Sequence, residues 1–184
     1  MSRLGKKPIK ILEGVNVEVG NGDVKVTGKL GSLTLSILED IDVRVDKDKN
    51  DIVVSTEKHY KQARANWGTM RSLLNQSVLG VAQGFAKTLE LVGVGYRASI
   101  EGRVLVLNIG FTHQVRFNIP EGITIIVEKT LIKISGINKH LVGQVASSIK
   151  KLKKPDPYQG KGIRYQGEVI IKKAGKKAVG AGAK

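Results

Sequence analysis

Residues 9–33, IKILEGVNVEVGNGDVKVTGKLGSL, align without a gap with residues 117–141, FNIPEGITIIVEKTLIKISGINKHL, at an offset of 108 residues. Seven of the 25 aligned positions are identical, and five more exchange similar residues. Self-similarity at a fixed offset is a signature of a repeated structural unit. The sequence therefore predicts a duplicated domain.

Both aligned stretches alternate apolar and polar residues, which is the period of a strand with one buried face. The turn sequence at residues 20–23, GNGD, favours a tight reversal because Asn-Gly tolerates positive φ. A β-hairpin is therefore expected in each copy. Further alternating runs occur at residues 33–37, 52–54, 96–100 and 104–109, and Glu101-Gly102 is the predicted turn between the last two.

Each predicted unit also contains one segment with helical spacing of apolar residues. These residues are Trp67, Met70, Leu74, Val78 and Val81 in the first unit, and Leu141, Val145, Ile149 and Leu152 in the second. Asn138 is the predicted N-cap of the second helix, and Pro155 prevents its continuation. The predicted fold class is α+β, with two duplicated domains, each a mostly antiparallel sheet packed with one main helix. We place the units at residues 1–82 and 83–173, followed by a flexible basic tail at 174–184.

The positive charge is concentrated in the second half of the chain. The formal net charge is +15, of which residues 1–82 contribute +3 and residues 83–184 contribute +12. A polyanionic partner that meets the second half is therefore expected. The sequence contains no cysteine, secretory signal or apolar run of membrane-spanning length, so we expect a soluble cytoplasmic protein.

Residues 150–165, KKLKKPDPYQGKGIRY, combine six cations with two prolines, two glycines and two tyrosines. Pro155 and Pro157 keep the preceding residues extended, which lowers the entropy lost on binding. Gly160 and Gly162 leave room for a phosphate near the backbone. We interpret this segment as a stiff basic loop that binds nucleic acid.

Three features of this loop leave alternatives open. Tyr158 and Tyr165 stack on a base, donate to a phosphate or pack within the protein, and Asp156 holds either a cation or the loop backbone. The run of lysines from 150 to 154, taken alone, is equally typical of a solvated face. Folded RNA is favoured over duplex DNA because no helix rich in Arg, Asn or Gln is available for a major groove.

Other motifs do not indicate catalysis or metal binding. The three histidines, at 59, 113 and 140, lie outside metal-ligand spacing, and the aspartates between 40 and 51 read as a solvated polar hairpin. Gly93-Val94-Gly95 lacks the third glycine of a dinucleotide fold, so either a sharp bend or close backbone approach to RNA explains it. We therefore expect no catalytic residue, metal, cofactor or small-molecule substrate.

Residues 155–165, PDPYQGKGIRY, resemble the signature of bacterial-type ribosomal protein six of the large subunit. The similarity also includes the opening MSRLGKKPI, the segment at 68–71, GTMR, and the segment at 91–97, LVGVGYR. Gln159 departs from the lysine common in that family.

This resemblance implies a two-domain, non-enzymatic protein that binds large-subunit rRNA chiefly through its second domain. It places the site near the sarcin-ricin loop and the stalk base, where translational GTPases dock. The implied role is to support subunit assembly and the factor-binding region in the cytoplasmic ribosome, beside neighbouring ribosomal proteins and without a membrane. The primary RNA contacts are predicted at Lys150, Lys151, Lys153, Lys154, Pro155, Asp156, Pro157, Tyr158, Gly160, Lys161, Gly162, Arg164, Tyr165, Lys172 and Lys173. Secondary contacts are predicted at Arg3, Arg71, Gly93, Gly95 and Arg97.

Two other functional classes remain open at this stage. A nucleic-acid chaperone or DNA-compacting protein would use charge alone and would bind any duplex equally at the same salt concentration. An enzyme acting on RNA would need His113 or His140 as a base, and no sequence feature favours it.

Overall fold

The computed structural model describes residues 3–46, 49–58 and 60–175. Its described residues form two compact units: unit 1 lies within Met1–Phe85 and Gly136–Val142, and unit 2 within Ala86–Ser135 and Gly143–Lys184. The domain boundaries predicted after residues 82 and 173 stay predictions. Most of the predicted tail, residues 176–184, lies outside the described residues, as does His59.

Unit 1 consists of six strands followed by a long helix. The elements are β1 (Ile9–Lys10), β2 (Asn16–Val19), β3 (Asp23–Gly28), β4 (Gly31–Ser36), β5 (Asp42–Asp46), β6 (Asp51–Ser55) and α1 (Lys61–Gln83). One sheet has the strand order β2-β3-β4 and the other the order β1-β6-β5. The predicted turn at residues 20–23 is confirmed, because the Gly20 N–H donates to the Asp23 carbonyl at 2.8 Å between β2 and β3.

The core of unit 1 forms between its sheets and α1. Val24 and Val26 alternate on β3 and are both fully buried, as the period-2 pattern predicts. The predicted apolar face of α1 is confirmed, since Met70, Leu74 and Val78 are buried against the same cluster. Aliphatic residues spaced at three and four positions give this helix a single buried stripe.

Unit 2 repeats this order and adds one strand. Its elements are β7 (Phe85–Val92), β8 (Arg97–Glu101), β9 (Val104–Asn108), β10 (Val115–Asn118), β11 (Ile123–Glu128), β12 (Leu131–Gly136), α2 (Lys139–Leu152) and β13 (Gly162–Tyr165). Phe85 at the start of β7, Gly136 at the end of β12 and residues 139–142 at the start of α2 belong to unit 1. The strand orders are β10-β9-β8 and β11-β12-β7-β13.

The duplication is confirmed, but the sequence offset of 108 residues gave the wrong correspondence between the copies. The sheets β2-β3-β4 and β1-β6-β5 have the same connectivity as β8-β9-β10 and β7-β12-β11. The hairpin β2–β3 therefore corresponds to β8–β9, whereas the self-alignment had matched it with β11–β12. Amphipathic hairpins share the same period of two, so hairpins from different positions in a sheet resemble each other in sequence.

The second helix begins and ends where the sequence predicts. The Asn138 side-chain oxygen accepts hydrogen bonds from the His140 N–H at 3.0 Å and the Leu141 N–H at 3.3 Å, which confirms the N-cap. Val145 and Ile149 are buried on the predicted face. The final turn contains lysines at 150 and 151, which suit the negative end of the helix dipole.

Strand β13 is the main difference between the two copies. It pairs antiparallel with β7, with Gly162 opposite Val92 and Tyr165 opposite Leu89. In unit 1 the corresponding sheet stops at β1. Within the described residues, the chain between α2 and β13, residues 153–161, is thus an addition found in the second copy and not in the first, and we call it the basic loop.

Candidate nucleic-acid interface

The basic loop is held closed by its own backbone. The Ile163 N–H donates to the Lys153 carbonyl at 2.9 Å, so the two ends of the loop meet. Inside it, the Asp156 N–H donates to the Lys161 carbonyl and the Gly160 N–H to the Asp156 carbonyl, both at 2.8 Å. These bonds satisfy backbone groups that a free loop would present to water, so the loop is ordered before any ligand binds.

Asp156 braces the tip of this loop. Its carboxylate accepts a hydrogen bond from the Gln159 N–H at 2.8 Å, as aspartate commonly does in tight turns. The Pro157 carbonyl accepts the Lys173 N–H at 2.9 Å, which attaches the segment after β13 to the loop. Of the two roles left open for Asp156, the structure shows the backbone contact.

The two loop glycines have close neighbours within the protein. At Gly162, where φ is +147°, a Cβ would lie 2.7 Å from both the Lys154 carbonyl oxygen and the Pro155 Cα. Gly160 is buried with φ of +73°, and a Cβ there would lie 3.4 Å from Lys172 Cε. Gly162 is therefore explained by crowding where the ends of the loop meet, and Gly160 by its positive φ. A phosphate contact at either glycine stays a prediction.

Several cations of the predicted site point toward solvent. Tyr158, at the loop tip, exposes 57% of its surface, and Pro157 beside it is exposed. The exposed lysines are Lys151, Lys154, Lys161, Lys172 and Lys173. Lys154 and Lys161 lie on the braced loop and the other three lie on the segments that flank it, so together they give a positive surface that suits phosphate oxygens.

Two other predicted cations are paired inside unit 2. The Lys150 ammonium lies 2.6 and 2.7 Å from the two carboxylate oxygens of Glu168 and 4.5 Å from the Tyr165 ring centroid. Arg164 donates from Nε to one Glu90 carboxylate oxygen at 2.9 Å, and its Nη2 lies 2.9 Å from the same oxygen. All four charged side chains are half-buried. Lys150 and Arg164 therefore stabilise the elements on either side of the basic loop. RNA contacts at these two residues stay predictions.

Glu168 is ionised by this arrangement at lower pH than an isolated glutamate. The hydrogen bond from the Lys150 ammonium lowers the pKa of Glu168, and the hydrogen bond from the Tyr165 N–H, at 2.9 Å, lowers it further. Neither Glu168 nor Glu90 was identified from the sequence as a partner of these cations. The available signal for Glu168 was that it is an isolated acid within a basic segment. A half-buried cation needs a carboxylate partner, and such an acid can supply it.

The turn at residues 93–96, for which the sequence left a sharp bend and close approach to RNA open, lies beside the basic loop. Gly162 pairs with Val92, so the residues just after β7 stand next to the residues just before β13. Gly93 is close to the Tyr96 ring, where a Cβ would lie 2.9 Å away, and Gly95 has φ of +78° with no neighbouring atom within 4 Å. Arg97 is exposed. The secondary candidates of unit 2 thus lie at the same end of the sheet as the primary ones.

A third turn, between β9 and β10, completes this end of unit 2. A Cβ at Gly110 would lie 3.3 Å from the Tyr96 ring, and the Phe111 ring centroid lies 4.6 Å from the Lys153 ammonium. We call the combination of residues 93–97, residues 110–113 and the basic loop the unit 2 loop surface. The aromatic turn was missed because its sequence, GFTHQ, shows no charge cluster.

Two secondary candidates belong to unit 1. Arg3 is exposed, whereas Arg71 is half-buried and its Nε donates to the Lys7 carbonyl at 3.3 Å. Arg71 therefore has a structural contact that the sequence did not indicate. RNA contacts at both residues stay predictions.

The described part of the chain offers no assembled site for catalysis by a metal. Among residues 3–46, 49–58 and 60–175, no group of three or more His, Asp or Glu side chains is arranged to hold a metal ion. His140 lies exposed in the first turn of α2, and His113 lies beside Phe111 with no carboxylate partner shown. Neither described helix combines the length and the apolar character needed to cross a membrane.

Comparison with known proteins agrees with this architecture. The family model described as Ribosomal protein L6 matches the chain twice, at residues 11–84 and 92–166. The two matches begin 81 residues apart, and β8 and β9 likewise begin 81 residues after β2 and β3, in agreement with the sheet connectivity.

Similar full-length proteins are named large ribosomal subunit protein uL6. The protein from Rhodospirillum centenum is 48% identical over 178 residues, which cover 96% of this chain and 99% of that protein. The protein from Nitratiruptor sp. is 48% identical over 178 residues, covering 97% and 99% of the two chains. The protein from Campylobacter jejuni is 46% identical over 176 residues, covering 96% and 98%. With its twofold domain match and these near-complete alignments, the chain belongs to the ribosomal protein L6 family, a structural and non-enzymatic component of the ribosome.

Proposed function

We propose that this protein is a structural constituent of the large ribosomal subunit and binds its rRNA through the unit 2 loop surface. The observation that carries the proposal is the basic loop, which in the described part of the chain follows the second helix and has no counterpart after the first. The RNA-binding domain of the proposal is the second unit, predicted at residues 83–173. Its partners are large-subunit rRNA and neighbouring ribosomal proteins in the cytoplasm.

Electrostatics and rigidity together support this function. The exposed lysines attract phosphates, while the closed backbone of the loop removes most of the ordering cost that a flexible basic tail would pay. The carboxylates close to the loop are occupied, since Asp156 accepts a backbone N–H and Glu168 accepts Lys150. Among the described residues, the ion pairs do not include the exposed lysines of this surface, so their charge remains available to phosphates.

A matched pair of charge variants tests the assignment. Lys154→Gln with Lys161→Gln should weaken binding to a large-subunit rRNA fragment and reduce the slope of log K against log salt by about 0.7–0.9 for each lost phosphate contact. Lys129→Gln with Lys133→Gln removes the same charge from exposed positions around the β11–β12 turn and should change binding far less. Equal effects of the two double variants would contradict a specific loop contact.

Competition with random DNA separates this function from charge-only binding. The proposal expects the rRNA fragment to displace the DNA duplex at equal salt, because a fixed loop fits a folded RNA surface. A charge-only nucleic-acid chaperone would bind both polymers with similar affinity. Equal affinity would therefore favour that alternative.

We further propose that the rRNA site lies near the sarcin-ricin loop and the stalk base, where translational GTPases act. The resemblance in the signature loop supports this location. Crosslinking from position 161 in the assembled particle, followed by mapping of the attached nucleotides, tests it. Crosslinks confined to other regions of the rRNA would contradict the location while leaving rRNA binding intact.

A further inference from the structure

Two aromatic side chains lie nearly parallel on the turn between β9 and β10. The ring centroids of Phe111 and His113 are 6.1 Å apart, and their planes differ by 14°. Both residues are exposed, with 45% of the Phe111 surface open to solvent. The pair therefore lies outside the core of unit 2.

The Lys153 ammonium adds a cation to this pair. It lies 4.6 Å from the Phe111 ring centroid, within the range of a cation–π contact. Lys153 also belongs to the basic loop through its carbonyl, which accepts the Ile163 N–H. One residue thus links the rings to the cationic loop.

Exposed aromatic rings in proteins often contribute only local packing, which is the alternative to RNA binding at Phe111 and His113. Packing alone would be satisfied by an aliphatic residue, since apolar burial depends on area rather than on ring shape. A parallel ring pair beside a cationic loop instead matches the way proteins hold single-stranded RNA, where bases stack on aromatic rings and cations contact the backbone.

We propose that Phe111 and His113 form a stacking site for an unpaired RNA base, with Lys153 contacting the adjacent phosphate or the base itself. This inference rests on the proposed rRNA binding and adds a second kind of contact to the same surface. The lysines supply salt-dependent attraction, whereas the rings supply an attraction that depends little on salt. The site therefore selects RNA with a base free of its helix.

The difference in salt dependence provides the test. In the full-length protein, Phe111→Leu should lower affinity for the rRNA fragment about 5-fold to 100-fold, the range expected for losing one stacked base. The slope of log K against log salt should stay at the wild-type value, because no phosphate contact is lost. Phe111→Tyr keeps the ring and should bind within about twofold of the wild type.

Two additional measurements exclude a folding artefact. His113→Gln changes an exposed ring and should also lower affinity without changing the melting temperature. A 2-aminopurine placed in the unpaired region of the RNA should lose fluorescence on binding the wild type, as stacked 2-aminopurine does, and should lose less with Phe111→Leu. Ile126→Ala removes a comparably exposed apolar side chain, 46% open, from β11 and serves as the control expected to bind normally.

The outcomes distinguish this inference from the function on which it rests. Normal binding by Phe111→Leu and His113→Gln, together with weak binding by the Lys154→Gln and Lys161→Gln variant, would overturn the stacking site and retain rRNA binding through the lysines. Normal binding by all of these variants would overturn both. Equal loss with Phe111→Leu and Phe111→Tyr, or equal loss on fully paired RNA, would also overturn the stacking site.

Discussion

Lys150 and Glu168 join the last turn of α2 to the segment that follows β13, with the ammonium 2.6 and 2.7 Å from the two carboxylate oxygens. The same carboxylate accepts the Tyr165 N–H at 2.9 Å. One glutamate therefore ties together the helix before the basic loop and the strand after it.

This contact should make stability depend on acid pH. The pKa of Glu168 is lowered in the folded state, chiefly by Lys150, so the unfolded state binds more protons at pH values just below the ordinary glutamate pKa of about 4.3. The contribution is fully present above that value and is lost as pH falls through the folded pKa.

We expect Glu168→Gln to lower the free energy of unfolding by about 1 kcal/mol at pH 7. The difference from the wild type should shrink as pH is lowered below 4. Urea unfolding at several pH values measures it, and a difference that stays constant with pH would contradict the assigned ion pair.

Replacement of Gly162 should disrupt the loop through crowding as well as backbone strain. A Cβ would lie 2.7 Å from Lys154 O and Pro155 Cα. Gly162→Ala should destabilise the protein by about 3 kcal/mol or more, the sum of the positive-φ cost and overpacking. Gly122→Ala is the control, because Gly122 has φ of +78° with no atom within 4 Å. It should cost only about 1 kcal/mol. Similar melting temperatures for the two variants would refute the crowding.

Two helix glycines should respond in opposite directions to alanine. Gly143 in α2 has no atom within 4 Å of an added Cβ, so Gly143→Ala should stabilise by about 0.5–1 kcal/mol through helix propensity. Gly80 in α1 would place a Cβ 2.3 Å from the Ile137 carbonyl oxygen, so Gly80→Ala should destabilise by about 1–3 kcal/mol. Thermal unfolding of both variants measures these changes in stability. Changes of the same sign in the two variants would contradict the packing described around these glycines.

Arg164 should matter more for stability than for salt-dependent binding. Its guanidinium donates from Nε to Glu90 and forms an ion pair with it across the β7–β13 pair, and removing it leaves a half-buried carboxylate unpaired. Arg164→Gln should cost about 1 kcal/mol of stability. Its effect on the salt slope of rRNA binding should be smaller than that of Lys161→Gln. A slope change equal to that of Lys161→Gln would instead place Arg164 on a phosphate.

Local signals in the sequence were sufficient to predict most of the helices and strands. Asn138 and Pro155 bracket α2, and the turn at residues 20–23 fixes the β2–β3 hairpin, because capping and turn chemistry act over a few neighbouring residues. The predicted correspondence between the hairpins of the two copies was wrong, because it depends on which hairpin joins which sheet. That choice is made by tertiary packing.

The same limit applies to the candidate site. The exposed lysines of the basic loop could be predicted from charge and proline content. The pairing of Lys150 and Arg164 with distant glutamates could not, since Glu90 is far from Arg164 in the sequence and meets it only when β13 pairs with β7. Phe111 was missed for a similar reason, because its link to Lys153 joins two separate turns.

The fourth strand of the unit 2 sheet also has a consequence for aggregation. β13 covers β7, an eight-residue strand whose uncovered edge would present a row of unpaired backbone groups to other chains. In unit 1 the outer strand at the equivalent position is β1, which offers only two residues and follows Pro8, a residue without an N–H to donate. A chain that lost residues 162–165 would therefore expose an unpaired sheet edge in its second copy, at which other chains could pair. In the first copy the outer strand is too short to offer such an edge.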